Sequence, residues 1–110
     1  MRITLTIALL CIGHSIFGQS IYSAKYESQA VFSVYVVNYE SQADLVVFKV
    51  DYRSQANGNE GVWFFEEYQS QADKVIFFAK YESQADLKIY FTKYRSAAGW
   101  KSPELKHLLY

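Results

Sequence analysis

The sequence predicts an all-β protein built from one short unit used about six times, and two observations support this prediction. First, the pattern Tyr-x-Ser-x-Ala recurs every 13 residues, apart from one interval of 16 residues. Second, the stretches between the patterns are rich in β-branched and aromatic residues, as strands are. Self-similarity at a fixed period indicates a single supersecondary unit repeated along the chain. The units begin at Tyr26, Tyr39, Tyr52, Tyr68, Tyr81 and Tyr94.

We number the residues of each unit from its tyrosine, which is place one. With this numbering, each unit is predicted to contain one strand. Places seven to twelve form the strand, and residues 21–25 match the end of a preceding unit. Place nine is always β-branched or Trp and place ten is always aromatic. Neighbouring residues of a strand point to opposite faces, so both faces carry a large apolar side chain and need cover.

The short connectors limit how these strands can be arranged. A parallel coil with one strand per turn would require places one to six to run back along a strand of about 23 Å. We therefore expect strands that alternate between two layers, while a simple antiparallel meander remains open. Ser-Gln-Ala-Asp has the chemistry of a turn, because Ser and Asp side chains bond to nearby backbone N–H groups. We expect the place-one tyrosine ring to lie inside, with its hydroxyl at the rim.

The repeat is interrupted at two places. Asn57–Gly61 adds a loop with an Asn-Gly turn signal before the strand resumes at Val62. Ser102-Pro103-Glu104 is typical of a helix start, so residues 103–108 are predicted to form one or two helical turns.

The amino terminus is typical of a secretory signal peptide. Arg2 precedes the apolar run Ile3–Ile12, and the small residue Gly18 precedes Gln19. We expect a signal peptide at 1–18, one domain at 19–110, and export to the periplasm, cell envelope or extracellular space. The alternatives are a membrane anchor, for which the apolar run is short, and a lipid attached to Cys11.

The combination of motifs resembles the bacterial septoil-knot family. The shared features are the repeated Tyr-x-Ser-Gln-Ala-Asp-Leu-x-Ile-Tyr pattern, the longer loop before Trp63 and the closing Ala98-Gly99-Trp100. The resemblance covers residues 21–100 and implies a compact, mostly β, deeply knotted monomer with seven crossings. It implies no particular activity. Ala97 departs from the pattern, since the other units carry Gln at that place.

Composition excludes several classes of function. The whole chain has a formal net charge of zero, and removal of Arg2 would leave −1, so the basic excess that nucleic-acid binding needs is missing. After cleavage only His107 would remain among histidines, and no cysteine would remain, so we expect no metal site. No Gly-rich phosphate loop is present, and we expect no cofactor.

We therefore expect an exported structural or binding module without catalytic activity and without a membrane span after cleavage. The alternative is a secreted hydrolase that uses the place-six carboxylates of Asp44 and Asp86, if these lie together in a cleft. Any site should lie where the repeat breaks, because irregular loops escape the packing constraints of the repeat. The candidates for such an interaction surface are Asn57, Asn59, Glu60, Trp63 and Trp100. In the opposing interpretation the loop is only a tolerated insertion, and both Trp rings fill the core.

Overall fold

The predicted strand regions are all present in the computed structural model, which describes residues 19–56 and 58–109. The strands are β1 Ser20–Ser23, β2 Phe32–Val36, β3 Leu45–Lys49, β4 Val62–Phe65, β5 Lys74–Phe78 and β6 Leu87–Phe91. A short strand β7, Gly99–Trp100, and a C-terminal 3₁₀ helix, Pro103–Leu109, follow them. The all-β repeat architecture and the C-terminal helical turns are therefore confirmed.

Six of the strands form one closed sheet. Their order around the sheet is β4-β1-β5-β2-β6-β3, and β3 also pairs with β4, which closes the ring. All six of these pairings are parallel, whereas β7 pairs with β3 in the antiparallel sense. We expected strands that alternate between two layers. Instead, one closed sheet surrounds a single core, so strands on opposite sides cover each other's inner faces.

The chain passes around this ring twice. Strands β1, β2 and β3 make the first circuit, and β4, β5 and β6 make a second circuit whose strands lie between those of the first. Among the six, only β3 and β4 are neighbours both along the chain and in the sheet, at the step where the second circuit begins.

The register explains how such short connectors join parallel strands. Ser23 at the end of β1 and Phe32 at the start of β2 are both partners of Ile76 on β5. Val36 and Leu45 likewise share Ile89 on β6. The end of one strand thus lies level with the start of the next, and the connector crosses one strand, about 10 Å. The prediction that excluded parallel strands is wrong, because the sequence does not reveal this stagger of two residues per strand.

Both faces of the closed sheet are covered, as predicted. On the inside, the place-nine side chains have no exposed surface; they are Ile21, Val34, Val47, Trp63, Ile76 and Ile89. On the outside, the connectors cross over the strands, and the place-ten rings beneath them are half-buried. Ala43 at place five and Val46 on β3 belong to one such outer cluster. The constant small Ala therefore lets the connector approach the sheet.

The C-terminal tail closes the end of the sheet at which the strands begin, which we call the lower end. Trp100, Leu105, Leu108 and Leu109 pack against the core, and Leu109 is 1% exposed. Gly61 lies beside this tail with φ of +87°, and a Cβ there would overlap the backbone oxygen of Val46. Gly is therefore required at this position by both conformation and space.

Candidate functional site

Each connector presents its place-one tyrosine to solvent. The exposed fractions are 65% for Tyr26, 67% for Tyr39, 68% for Tyr52, 63% for Tyr68, 59% for Tyr81 and 70% for Tyr94. The prediction that these rings lie inside is wrong. The place-ten ring already occupies the space under the connector, and the chain leaves the sheet before it reaches place one. We call these six residues the tyrosine belt.

The belt encircles the closed sheet because each connector crosses a different strand. The 3₁₀ turns that follow Tyr26, Tyr81 and Tyr39 pack against β5, β2 and β6, respectively. The turns that follow Tyr94, Tyr52 and Tyr68 pack against β3, β4 and β1, respectively. Since the six strands form a ring, the tyrosines point away from the axis in six directions.

Three connectors that share the sequence Tyr-Glu-Ser-Gln-Ala lie side by side in this belt. Tyr26, Tyr39 and Tyr81 are each followed by Glu-Ser-Gln, and the strands that they cross, β5, β2 and β6, are consecutive in the sheet. We call this half of the belt the Tyr-Glu face; it comprises these tyrosines with Glu27, Glu40 and Glu82. The other three tyrosines are followed by Arg or Gln. The two-circuit topology therefore places the copy at Tyr81 between the consecutive copies at Tyr26 and Tyr39, so that all three form one face.

A shallow cleft of about 460 Å³ lies within the Tyr-Glu face. Glu82 and Ser83 from the turn after Tyr81 line one part of it, and Asp44 at the end of the Tyr39 connector lines another. Asp86 and Lys88 complete its polar lining. The structure thus brings together Asp44 and Asp86, the two carboxylates that the sequence suggested for a hydrolase.

Both carboxylates also hold the connectors on the sheet. The backbone N–H of Asp86 donates to the oxygen of Ser33 at 2.8 Å, while its Oδ2 accepts from the Ser33 N–H at 2.9 Å. Asp73 and Ser20 make the same two bonds, and so do Asp44 and Lys88. Each pair forms a two-point clamp between a connector and the start of a neighbouring strand. This is the structural role expected of a repeated place-six Asp, although its partner lies on another strand and not in its own turn.

The residues that we predicted as an interaction surface are mostly engaged in holding the tail. Trp63 is fully buried in the core. The Nε1 of Trp100 donates to the backbone oxygen of Asn59 at 2.8 Å, and the Nδ2 of Asn59 donates to the backbone oxygen of Lys106 at 3.1 Å. Glu60 and Lys106 form an ion pair at 2.9 Å.

The insertion and the tail therefore form one latch across the lower end of the sheet. Asn57 lies outside the described residues, as does the predicted signal peptide at 1–18. Whether the exposed part of the loop, around Glu60, also contacts a partner stays a prediction.

The opposite, upper end, where the strands finish, is lined by aromatic rings. Phe65 lies 6.3 Å from both Phe78 and Phe91, measured between ring centroids, and all three are half-buried. The Nζ of Lys49 lies 5.2 Å from the centroid of Phe65 and 5.9 Å from that of Phe91. These rings cap the core, and the cation–π contacts keep the Lys49 chain across them.

Two classes of site receive no support from the described part of the chain. Within residues 19–56 and 58–109, no three His, Cys, Asp or Glu side chains are grouped so that they could hold a metal ion. No helix in the same ranges has the length and apolar character needed to cross a membrane.

Comparison with known families settles the relationship that the motifs suggested. Residues 18–101 match the family described as the 7(1) septoil knot domain. The chain belongs to this family. Among curated proteins and solved structures, the comparison found no match. A seven-crossing knot of the septoil type is a torus knot, in which the chain winds twice around a common axis. The two interleaved circuits of strands supply that winding.

The belt tyrosines are the most exposed repeated residues of this septoil knot, although the sequence predicted that their rings lie inside. A signal was present, because each tyrosine is preceded or followed by a charged residue. A charged neighbour directly beside an aromatic residue is more compatible with a surface turn than with a buried strand. The grouping of three identical connectors could not be predicted, since it depends on the strand order.

Proposed function

We propose that this septoil knot is an exported, non-catalytic binding module that makes contact through its tyrosine belt. The single observation that carries the proposal is the exposure of all six tyrosines, at 59–70% for each residue. Repeated large aromatic residues that the core does not use require another explanation than packing. Tyr offers a large, rigid contact area with few rotatable bonds, and it is enriched at the energetic centres of binding surfaces.

The scaffold suits this use. Each tyrosine is followed by a 3₁₀ turn, and closely similar backbone angles place every ring, with φ between −119° and −132°. Clamp carboxylates hold the turns after Tyr39, Tyr68 and Tyr81 on the closed sheet. Contact residues on rigid supports lose little conformational entropy on binding.

The absence of catalytic activity is part of the proposal, and the alternative is the carboxylate-dependent hydrolase. One observation favours that alternative, namely the cleft that contains Asp44 and Asp86. Against it, the Oδ2 of Asp44 accepts from the backbone of Lys88 and its Oδ1 accepts from the hydroxyl of Ser102 at 2.9 Å. A carboxylate bonded through both oxygens is poorly placed to attack or to activate water. We therefore assign these carboxylates to the clamps.

Export and the monomeric state complete the proposal. The supporting feature for export is the layout of Arg2, the apolar run and Gly18. The closed sheet supports a monomer, because closure leaves its six parallel strands without a free edge for pairing with another chain.

The experiment compares the wild-type protein with a variant in which all six belt tyrosines are replaced by Ala. Both proteins are immobilised and exposed to an undivided envelope extract of the source cells, which contains proteins and polysaccharides. We expect the wild type to retain material that the variant does not retain, while both unfold at similar urea concentrations. Equal retention by two folded proteins would show that the belt is not the contact surface.

A further inference from the structure

We propose that the Tyr-Glu face binds a neutral, repeating polysaccharide, with one hexopyranose unit stacked on each of Tyr26, Tyr81 and Tyr39. This inference rests on the proposed function and names its ligand class. Three observations carry it: three connectors with the same Tyr-Glu-Ser-Gln sequence lie side by side, their side chains suit hydroxyl-rich ligands, and a cleft with charged and hydroxyl groups in its wall lies between two of them.

The repetition indicates the form of the ligand. Three equal sites in consecutive positions fit a ligand that presents the same group several times. Such a ligand gains affinity because, once one unit is bound, the others are held near the remaining sites. A folded protein partner presents no such repeated group, and its interface centre normally covers a continuous patch. Here polar turn residues separate the exposed rings, and the turns contain no buried residue.

The side chains of each connector match the two surfaces of a sugar ring. A Tyr ring offers an apolar face to the C–H groups of a hexopyranose, and its hydroxyl can both donate and accept. The Glu, Ser and Gln that follow it are exposed and supply carboxylate, hydroxyl and amide groups for the sugar hydroxyls. Each connector therefore carries an aromatic platform with hydrogen-bonding groups beside it.

Charge balance favours a neutral polymer over a polyanion or a polycation. Glu82 pairs with Lys88 at 3.8 Å and Glu40 pairs with Lys101 at 3.7 Å. Lys25 immediately precedes the Tyr26 of its own connector. Because acids and bases are interspersed on this face, neither sign of charge dominates its long-range attraction for a ligand.

The position of the cleft indicates which part of the Tyr-Glu face contacts the polysaccharide. The cleft lies between the Tyr81 and Tyr39 connectors, and Glu82, Ser83, Asp44, Asp86 and Lys88 contribute to its wall. An open, shallow cleft whose wall carries charged and hydroxyl groups beside Ala85 and Leu87 can admit a chain that continues in both directions. We therefore place the sugar unit between Tyr81 and Tyr39 in the cleft, and its neighbours on the adjoining rings.

The opposite half of the belt supplies a matched control. One triple variant replaces Tyr26, Tyr39 and Tyr81 by Ala, and the other replaces Tyr52, Tyr68 and Tyr94 by Ala. The two sets are equally numerous and similarly exposed, so their effects on folding should match. Urea unfolding and circular dichroism establish that both variants retain the fold.

The binding measurement uses cellohexaose and chitohexaose in calorimetric titrations, with cellulose and chitin in sedimentation assays. We expect the wild type to bind at least one of these probes. The variant of the Tyr-Glu face should bind it at least about tenfold more weakly, because several contacts are lost together. The control variant should remain within about twofold of the wild type.

Three outcomes would overturn the inference. No binding of the wild type to any probe would reject the ligand class. Equal weakening by both triple variants would reject the assignment to one face. Loss of only protein partners from the envelope extract would leave the proposed binding function standing and identify a protein as the ligand. Retention of no envelope material at all would instead reject the proposed function itself.

Discussion

The clamp between Asp86 and Ser33 gives a quantitative test of how the connectors are held. The Ser33 residue is 3% exposed, and its N–H donates to the Asp86 carboxylate at 2.9 Å. Replacing Asp86 by Ala removes the acceptor but keeps the second bond, from the backbone N–H of residue 86 to the Ser33 oxygen. A buried N–H is then left without a partner, which costs about 1–3 kcal/mol of unfolding free energy.

Two further variants separate the possible causes of that loss. Asp86→Asn keeps an oxygen acceptor and loses the charge, so we expect a loss of about 1 kcal/mol, the difference between charged and neutral hydrogen bonds. Asp51→Ala removes an exposed carboxylate at place thirteen and should change the free energy by no more than about 0.5 kcal/mol.

The measurement is an equilibrium urea titration followed by the fluorescence of the buried Trp63. A knotted chain with non-local strand pairing is expected to equilibrate slowly, so the midpoint should be approached from both the folded and the unfolded side. If Asp86→Ala and Asp51→Ala gave the same free energy of unfolding, the clamp would contribute nothing, and the proposed cause of connector rigidity would be refuted.

Three other predictions follow from burial, backbone conformation and the signal sequence. Tyr81→Ala should cost less than about 1 kcal/mol, whereas Ile76→Ala should cost about 2–5 kcal/mol, because only the isoleucine is buried; equal urea midpoints would contradict this. Gly61→Ala should lower the melting temperature far more than Gly58→Ala, because both have positive φ but only at Gly61 would a Cβ meet backbone atoms. Exported protein should have the intact mass of a chain that starts at Gln19 or at its pyroglutamate, and a retained signal segment would contradict this.

The repeat allowed its six strands and the cover on both faces to be predicted from the sequence, whereas β7, which follows the last repeat, was not predicted. Periodicity sufficed there because the same local pattern occurs in every unit, and because place nine carries only β-branched residues or Trp. The orientation of the tyrosines was not predictable in the same way. Place one follows the strand, and alternation along a strand says nothing about a residue after the chain has left the sheet.

The direction of the strands was also missed, and for a physical reason. The argument from connector length assumed that successive strands begin at the same level. In the structure, Ser23 and Phe32 share the partner Ile76, so the start of β2 lies level with the end of β1. Stagger is a property of the assembled sheet and is set by all six pairings at once. No single unit of the repeat contains the information that determines this stagger.

The Tyr-Glu face could not be predicted from the sequence either, because it depends on the order of the strands in the sheet. In the sequence, the Tyr-Glu-Ser-Gln copies at 26 and 39 are consecutive, whereas two units with Arg or Gln after the tyrosine separate them from the copy at 81. They become neighbours only because a first-circuit connector crosses a second-circuit strand, and a second-circuit connector crosses a first-circuit strand. Exchanging Gln69 and Glu82 between two connectors of the second circuit would keep the composition and the repeat yet break up the face. The winding that produces the knot therefore also determines which copies of the repeat form a common surface.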